Sequence, residues 1–172
     1  MVQITIAFLI LLVYIVVLSI YGGRIPPCLS DSVFYLKQEK RWIWTLFLFI
    51  FSFLTIPVAI EVADENTKFL AFLAIAALAF VGAAPLVRDT SDIAYKVHCW
   101  AAAICAACSQ LLLLFNSYWF LLLWVPWGIT LLWFKCRSQK WRTMVFWGEM
   151  VCFTDTLIFC LISVLNRMCL QG

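Results

Sequence analysis

The stretch that decides the fold of this chain is residues 2–21, VQITIAFLILLVYIVVLSIY, which contains no charged residue. A helix needs about 20 mostly apolar residues to cross the hydrocarbon core of a bilayer. This stretch lacks the basic n-region and the small-residue cleavage site that are typical of a secretory signal peptide. We therefore expect it to be retained as a first transmembrane helix.

Five further apolar runs of similar length follow along the chain. The six predicted spans are 2–21, 42–60, 69–87, 97–115, 117–134 and 144–165. The junction between spans four and five, at Asn116-Ser117-Tyr118, is so short that these two spans are predicted to form a helical hairpin. The runs are continuously apolar and do not alternate with polar residues, which excludes a transmembrane β-barrel. The sequence therefore predicts an all-α, polytopic integral membrane protein, a six-transmembrane-helix bundle in which residues 1–172 form a single domain.

The composition excludes several classes of protein. The chain is 66% hydrophobic and 12% charged, whereas a soluble domain is about 25% charged. This excludes a soluble globular enzyme, a disordered chain and a nucleic-acid-binding protein with a basic face. Membrane lipids are the expected partners, and nucleic acid is not.

The distribution of basic residues predicts the orientation in the membrane. Of the 12 Lys and Arg residues, all but Lys68 and Arg167 fall in the loops after spans one, three and five. Cytoplasmic loops carry the excess of positive charge. Both termini are therefore expected outside, with the three basic loops in the cytoplasm, in a bacterial cytoplasmic (inner) membrane.

Three local features carry structural expectations. The pair Cys105-x-x-Cys108 has a redox-type spacing, but its apolar helical setting favours inert thiols on a packing face. Small residues in span three predict close packing against span four. Pro126 is expected to kink span five and to free the carbonyl of Leu122.

Glu149 and Asp155 are the two acidic residues well inside a predicted span. Glu149 lies about 8 Å and Asp155 about 17 Å from the cytoplasmic end of span six, and about 120° separates them around the helix. Both side chains are expected to face the same sector of the bundle interior. Asp155 is expected to be protonated or to be hydrogen-bonded to hydroxyls and amides. Two interpretations stay open: an interhelical hydrogen bond, or a proton-, ion- or ligand-linked carboxylate in a cavity open to the cytoplasm.

Three more candidates lie on the cytoplasmic side. His98, the only histidine, begins span four and is placed to approach Glu149 if spans four and six are neighbours. Ser30 is predicted to be the N-cap of a short interfacial helix, and Asp31 follows it. The apolar side of that helix comprises Leu29, Val33 and Leu36. With one histidine, scattered carboxylates and no Walker or dinucleotide glycine motif, neither a metal nor a cofactor is expected.

Several segments resemble a set of uncharacterised small six-span membrane proteins from gut bacteria and their phages. They are residues 29–35 (LSDSVFY), 69–74 (FLAFLA), 80–85 (FVGAAP) and His98. The resemblance implies six spans and a bacterial cytoplasmic membrane, and it supplies no catalytic residues. The placement of Ser, Asp and His near the cytoplasmic face is also similar to membrane hydrolases of the alkaline-ceramidase superfamily, whose zinc site needs histidines that this chain lacks.

Three functions follow as hypotheses. The first is a membrane protein that binds or moves a small amphiphile, ion or proton through a cytoplasm-facing polar cavity around Asp155, Glu149 and His98. The second is a membrane-embedded lipid hydrolase in which His98 and a carboxylate act as the acid–base pair. The third is a structural or assembly subunit without catalytic activity. The sequence leaves the oligomeric state and the choice between enzyme and non-enzyme open.

Overall fold

The computed structural model describes residues 1–22, 26, 28–83, 92–136 and 141–171. All regular elements in these ranges are helical, which confirms the predicted all-α class. The α-helices are α1 (Val2–Gly22), α2 (Trp42–Val62), α3 (Lys68–Ala83), α4 (Asp92–Ser117), α5 (Trp124–Cys136) and α6 (Trp141–Gln171). The shorter 3-10 helices are Ser30–Tyr35, Gln38–Lys40, Glu65–Thr67 and Tyr118–Leu123.

Long apolar helices dominate the fold. Within the described ranges, four helical stretches are long and apolar enough to cross a membrane, and a shorter apolar helix covers Val2–Val17. The four stretches are Gln38–Val62, Glu65–Ala83, Tyr95–Leu132 and Met144–Leu170. Their abundant exposed leucines, phenylalanines and tryptophans fit a lipid environment, since a soluble surface rarely carries so many.

The chain folds back on itself at Ser117. The backbone of Ser117 has φ −166° and ψ 81°, which is outside the helical region, and it ends α4. Nε1 of Trp124 donates to Oε1 of Gln110 at 2.8 Å, although the two residues are 14 positions apart. In one continuous helix they would be about 21 Å apart. The short junction therefore produces the tight turn that the sequence predicts there.

Pro126 follows a change from 3-10 helix to α-helix, and the expectation that it frees the carbonyl of Leu122 is wrong. The chain leaves Ser117 as a 3-10 helix, and α5 begins only at Trp124. Pro126 therefore lies in the first turn of α5, where no intrahelical N–H is needed and proline is tolerated. The carbonyl of Leu122 is not free, because the backbone N–H of Trp124 donates to it and to the carbonyl of Leu121.

α3 packs closely against α4, as its small residues predict, and also against α2. Its contacts with α2 and α4 are the most extensive between the described helices. Gly82 allows the closest approach to α2, because a Cβ added there would lie 2.9 Å from Cβ of Leu48. The carbonyl of Gly82 also accepts a hydrogen bond from Oγ1 of Thr45 at 2.8 Å. This buried seam fixes α2, which carries one wall of the site described below.

Replacing Gly82 by alanine is expected to destabilise the protein by about 1–3 kcal/mol, because the new methyl group clashes with Leu48. Gly128→Ala in α5 is the matched control, since a Cβ there meets nothing within 4 Å. The control is expected to be neutral or to stabilise by about 0.5–1 kcal/mol. Unfolding in detergent micelles measures both, and equal effects would contradict the packing of α2 on α3.

Candidate ligand-binding cavity

A short 3-10 helix, Ser30–Tyr35, lies between α1 and α2 and forms one side of the site. Leu29, Val33 and Leu36 are buried, so the predicted apolar side of this helix is confirmed. The predicted N-cap at Ser30 is wrong. Leu29 occupies that position with helical φ −61° and ψ −38° and makes no side-chain cap. Oγ of Ser30 lies instead 3.2 Å from Sγ of Cys28.

A buried hydrogen bond attaches this 3-10 helix to α1. The hydroxyl groups of Tyr14 and Ser32 are 2.6 Å apart, and Oγ of Ser32 donates to the carbonyl of Leu29. The Tyr14 ring stacks on Phe47 of α2, with centroids 4.2 Å apart and planes 7° from parallel. A polar contact therefore attaches the segment before α2 to α1, and an aromatic contact attaches α1 to α2.

Glu149 attaches the same segment to α6. Its carboxylate oxygen Oε2 accepts a hydrogen bond from the backbone N–H of Leu29, across 120 positions of sequence. Hydrogen bonds to a charged acceptor are stronger than those between neutral groups. The carboxylate of Asp31 lies close enough to Glu149 to repel it electrostatically. Glu149 therefore has a structural contact with the segment and a neighbouring negative charge.

These contacts enclose a small cavity of about 70 Å³, called cavity A here. Ser30, His98 and Glu149 all line it, so three of the five predicted site residues lie around one space. His98 reaches it from α4 and Glu149 from α6, because these two helices pack against each other. Asp31 is not among the described lining residues, although it acts on Glu149 through its charge.

Trp44, from α2, completes the polar lining of cavity A, and sequence analysis did not identify it. Its side chain is 1% exposed, and its Nε1 has no acceptor within the described part of the chain. Buried donors are normally satisfied, so an oxygen from water or from a ligand fits this position. No lysine or arginine is among the described residues that line cavity A. Within the described residues, the lining of the cavity thus combines a carboxylate with an unsatisfied donor and includes no lysine or arginine.

A second cavity of about 60 Å³, cavity B, lies next to cavity A. The two share four lining residues, which are Leu78, Cys105, Cys152 and Phe153. The rest of cavity B is mainly apolar and includes Phe51, Ala74, Ile75, Leu157 and Cys160. Its polar lining is limited to the hydroxyl groups of Thr55, Ser109 and Thr156.

Asp155 is fully buried, with 0% exposure, and lines neither cavity. Its Oδ1 accepts from Nε2 of Gln110 at 3.3 Å and lies 3.3 Å from Oγ1 of Thr156. Gln110 in turn accepts from Trp124. The expected bonding of Asp155 to amides and hydroxyls is therefore confirmed. Asp155 and Glu149 have different hydrogen-bond partners, because Asp155 is bonded to Gln110 of α4 while Glu149 is bonded to the segment before α2.

Gln110 was missed in the sequence, although a signal was present. It is an amide within an apolar span, and such residues commonly hydrogen-bond between membrane helices. Its carbonyl accepts from Trp124 on α5 and its amide donates to Asp155 on α6. One side chain of α4 thus joins three helices.

A wider groove of about 450 Å³ lies between α5 and α6. Its described lining includes Pro126, Trp127, Met144 and Trp147 and carries no titratable side chain. Because it offers no charge to orient a polar ligand, it is not the candidate site. Within the described residues, no three His, Cys, Asp or Glu side chains form a group that could hold a metal ion.

Comparisons with protein-family models, curated proteins and solved structures found no match to this chain. The chemistry of cavity A is therefore interpreted from its own residues.

The Cys28 thiol is expected to react slowly at neutral pH. Burial raises its pKa to about 11, opposed by the hydrogen bond from Ser30 and assisted by the charge of Glu149. Since the thiolate is the reactive form, alkylation of Cys28 should accelerate about tenfold per pH unit between about pH 8 and pH 10. Mass spectrometry of the peptide that contains Cys28 measures this rate after timed exposure to iodoacetamide.

Glu149→Gln removes one negative neighbour of Cys28 and is expected to move this rise in rate to lower pH. Two results would contradict the placement of Cys28 beside Glu149 in a partly buried position. One is an alkylation rate that levels off already near pH 9, and the other is a dependence of this rate on pH that Glu149→Gln leaves unchanged.

Proposed function

We propose that this chain is a polytopic membrane protein that binds a small cationic solute in cavity A. The observation that carries the proposal is the lining of this cavity, where a carboxylate, an imidazole, a hydroxyl and an indole N–H without a described acceptor converge, and where no lysine or arginine is among the described residues. A buried carboxylate without a fixed cation attracts a mobile one. A ligand or water oxygen that enters with the cation satisfies Trp44.

The proposal includes six transmembrane helices with both termini outside a bacterial cytoplasmic membrane. The reversal at Ser117 supports the assignment of α4 and α5 to separate crossings. α1, at 21 residues, spans about 31 Å, which matches the hydrocarbon core. The excess of Lys and Arg in alternate loops supports the orientation. Cavity A then opens toward the cytoplasm, because Ser30 and His98 lie at that end of the bundle.

The size of cavity A favours a small solute over a whole lipid. One water molecule occupies about 10–15 Å³ of such space, so about 70 Å³ admits only a few heavy atoms. Typical drug-sized ligands need about 300–1,000 Å³. The lipid-hydrolase hypothesis is correspondingly weaker, and the hydroxyl of Ser30 already lies within hydrogen-bond distance of the Cys28 thiol.

A structural role is a second candidate, and the Asp155 network favours it. Asp155, Gln110 and Trp124 join α6, α4 and α5 through buried hydrogen bonds and line neither cavity. Such bonds contribute about 0.6–2 kcal/mol each between membrane helices. In the proposed scheme, Asp155 stabilises helix packing while Glu149 binds the solute.

Methylammonium chloride is the probe for cavity A. At about ten times its dissociation constant, it is expected to raise the unfolding temperature of the purified protein in micelles by about 3–6 °C. Sodium chloride at equal ionic strength corrects for screening. Glu149→Gln keeps an acceptor for the N–H of Leu29 but removes the charge, and it is expected to abolish the shift.

Two matched variants control this experiment. Glu61→Gln removes a carboxylate from an exposed position on α2 and is expected to leave the shift intact. Asp155→Asn replaces a carboxyl group of α6 that does not line cavity A. This variant is expected to unfold at a lower temperature without methylammonium but to keep the rise in unfolding temperature when methylammonium is added. No shift in the native protein, or the same shift in Glu149→Gln, would overturn the proposed function.

A further inference from the structure

Cavities A and B lie next to each other in the bundle. They share the wall made by Leu78, Cys105, Cys152 and Phe153. Cavity A begins at Leu29 and Ser30 beside the 3-10 helix. Cavity B continues to Leu157 and Cys160, two and three turns further along α6 than Glu149. The two cavities are therefore adjacent at residues of α3, α4 and α6.

The two cavities differ sharply in chemistry. Cavity A holds Glu149, His98, Ser30 and the indole of Trp44. No charged side chain is among the described residues that line cavity B, whose walls are mainly Phe, Ile, Leu, Ala and Cys. The pair of adjacent cavities is therefore polar and acidic on one side and apolar on the other.

We infer that the ligand is a short primary alkylammonium ion, with its ammonium group beside Glu149 in cavity A and its alkyl chain in cavity B. This inference rests on the proposed function and specifies the ligand class. An ammonium group offers three donors, which suit the carboxylate of Glu149 and the hydroxyl of Ser30. The aromatic rings of Trp44 and Phe153 on the wall of cavity A attract a cation as well.

Charge excludes the other common amphiphiles. A fatty acid or phosphate ester would place a negative group beside Glu149, with Asp31 close by. Like charges at such distances repel, and cavity A has no described lysine or arginine in its lining to offset them. A neutral alkanol would leave the carboxylate without a counter-charge. The alkylammonium ion matches the charge of cavity A and the apolar walls of cavity B, and a water molecule that enters with it supplies the acceptor that Nε1 of Trp44 lacks within the described residues.

The test is a chain-length series measured on the native protein in micelles. Methyl-, ethyl-, propyl-, butyl- and hexylammonium chloride are titrated, and the concentration at half of the maximal thermal shift is recorded. Each methylene that enters cavity B is expected to lower this concentration about fourfold. The gain should stop once the chain fills cavity B. Alkanols of the same lengths, at the same concentrations, control for partition into the micelle.

Ala74→Val and Ala77→Val form a matched pair on α3. Both alanines are buried, but only Ala74 lines cavity B, and Ala77 lines neither cavity. Ala74→Val is expected to remove the dependence on chain length while methylammonium still stabilises the protein. Ala77→Val is expected to retain the dependence. If Ala74→Val does not fold, the series on the native protein and on Glu149→Gln still decides.

The outcomes separate the inference from the proposed function. If all amines act at the same concentration and Glu149→Gln abolishes the effect, cavity A binds a cation but the alkylammonium inference is overturned. If alkanols reproduce the chain-length effect, or it persists in Glu149→Gln, the inference is overturned because the micelle accounts for it. If no amine stabilises the native protein, both proposals fail.

Discussion

The hydrogen bond from the backbone N–H of Leu29 to the carboxylate of Glu149 is the interaction on which the candidate site depends. It joins the segment after α1 to the first third of α6, and it places a carboxylate at the boundary between that segment and the apolar bundle. Within the described residues, it is the polar contact that attaches Leu29 to α6 beside cavity A. A single acidic side chain therefore both closes the cavity and supplies its charge.

The surrounding contacts make this arrangement specific. The hydroxyl of Tyr14 is hydrogen-bonded to that of Ser32, and Ser32 donates to the carbonyl of Leu29. Because the N–H of Leu29 donates to Glu149, both backbone polar groups of Leu29 have partners. Such pairing is required because an unsatisfied peptide group in an apolar interior is costly. The close seam between α2 and α3 at Gly82 then fixes α2 and with it Trp44. Packing and hydrogen bonding in this region converge on one small polar space.

The sequence predicts the helices well because length and continuous apolarity suffice to identify them. It also predicts that Glu149 and His98 share a depth, since the helical rise fixes the position of each along its own span. It does not predict Tyr14, Trp44 or Gln110 as partners, because such pairings depend on which helices are neighbours and how each is rotated. For the same reason, the sequence does not predict that Asp155 and Glu149, which are about 120° apart on one helix, have different hydrogen-bond partners.

Amide hydrogen exchange at Leu29, compared between the native protein and Glu149→Ala, tests the central interaction most directly. A hydrogen bond to a charged acceptor contributes about 1.5–3 kcal/mol, so its loss should accelerate exchange of the Leu29 amide about 10- to 150-fold. Amides in the middle of α3 should exchange at unchanged rates and report that the bundle is intact. An unchanged exchange rate at Leu29 in Glu149→Ala would contradict the role assigned to Glu149 and, with it, the construction of cavity A.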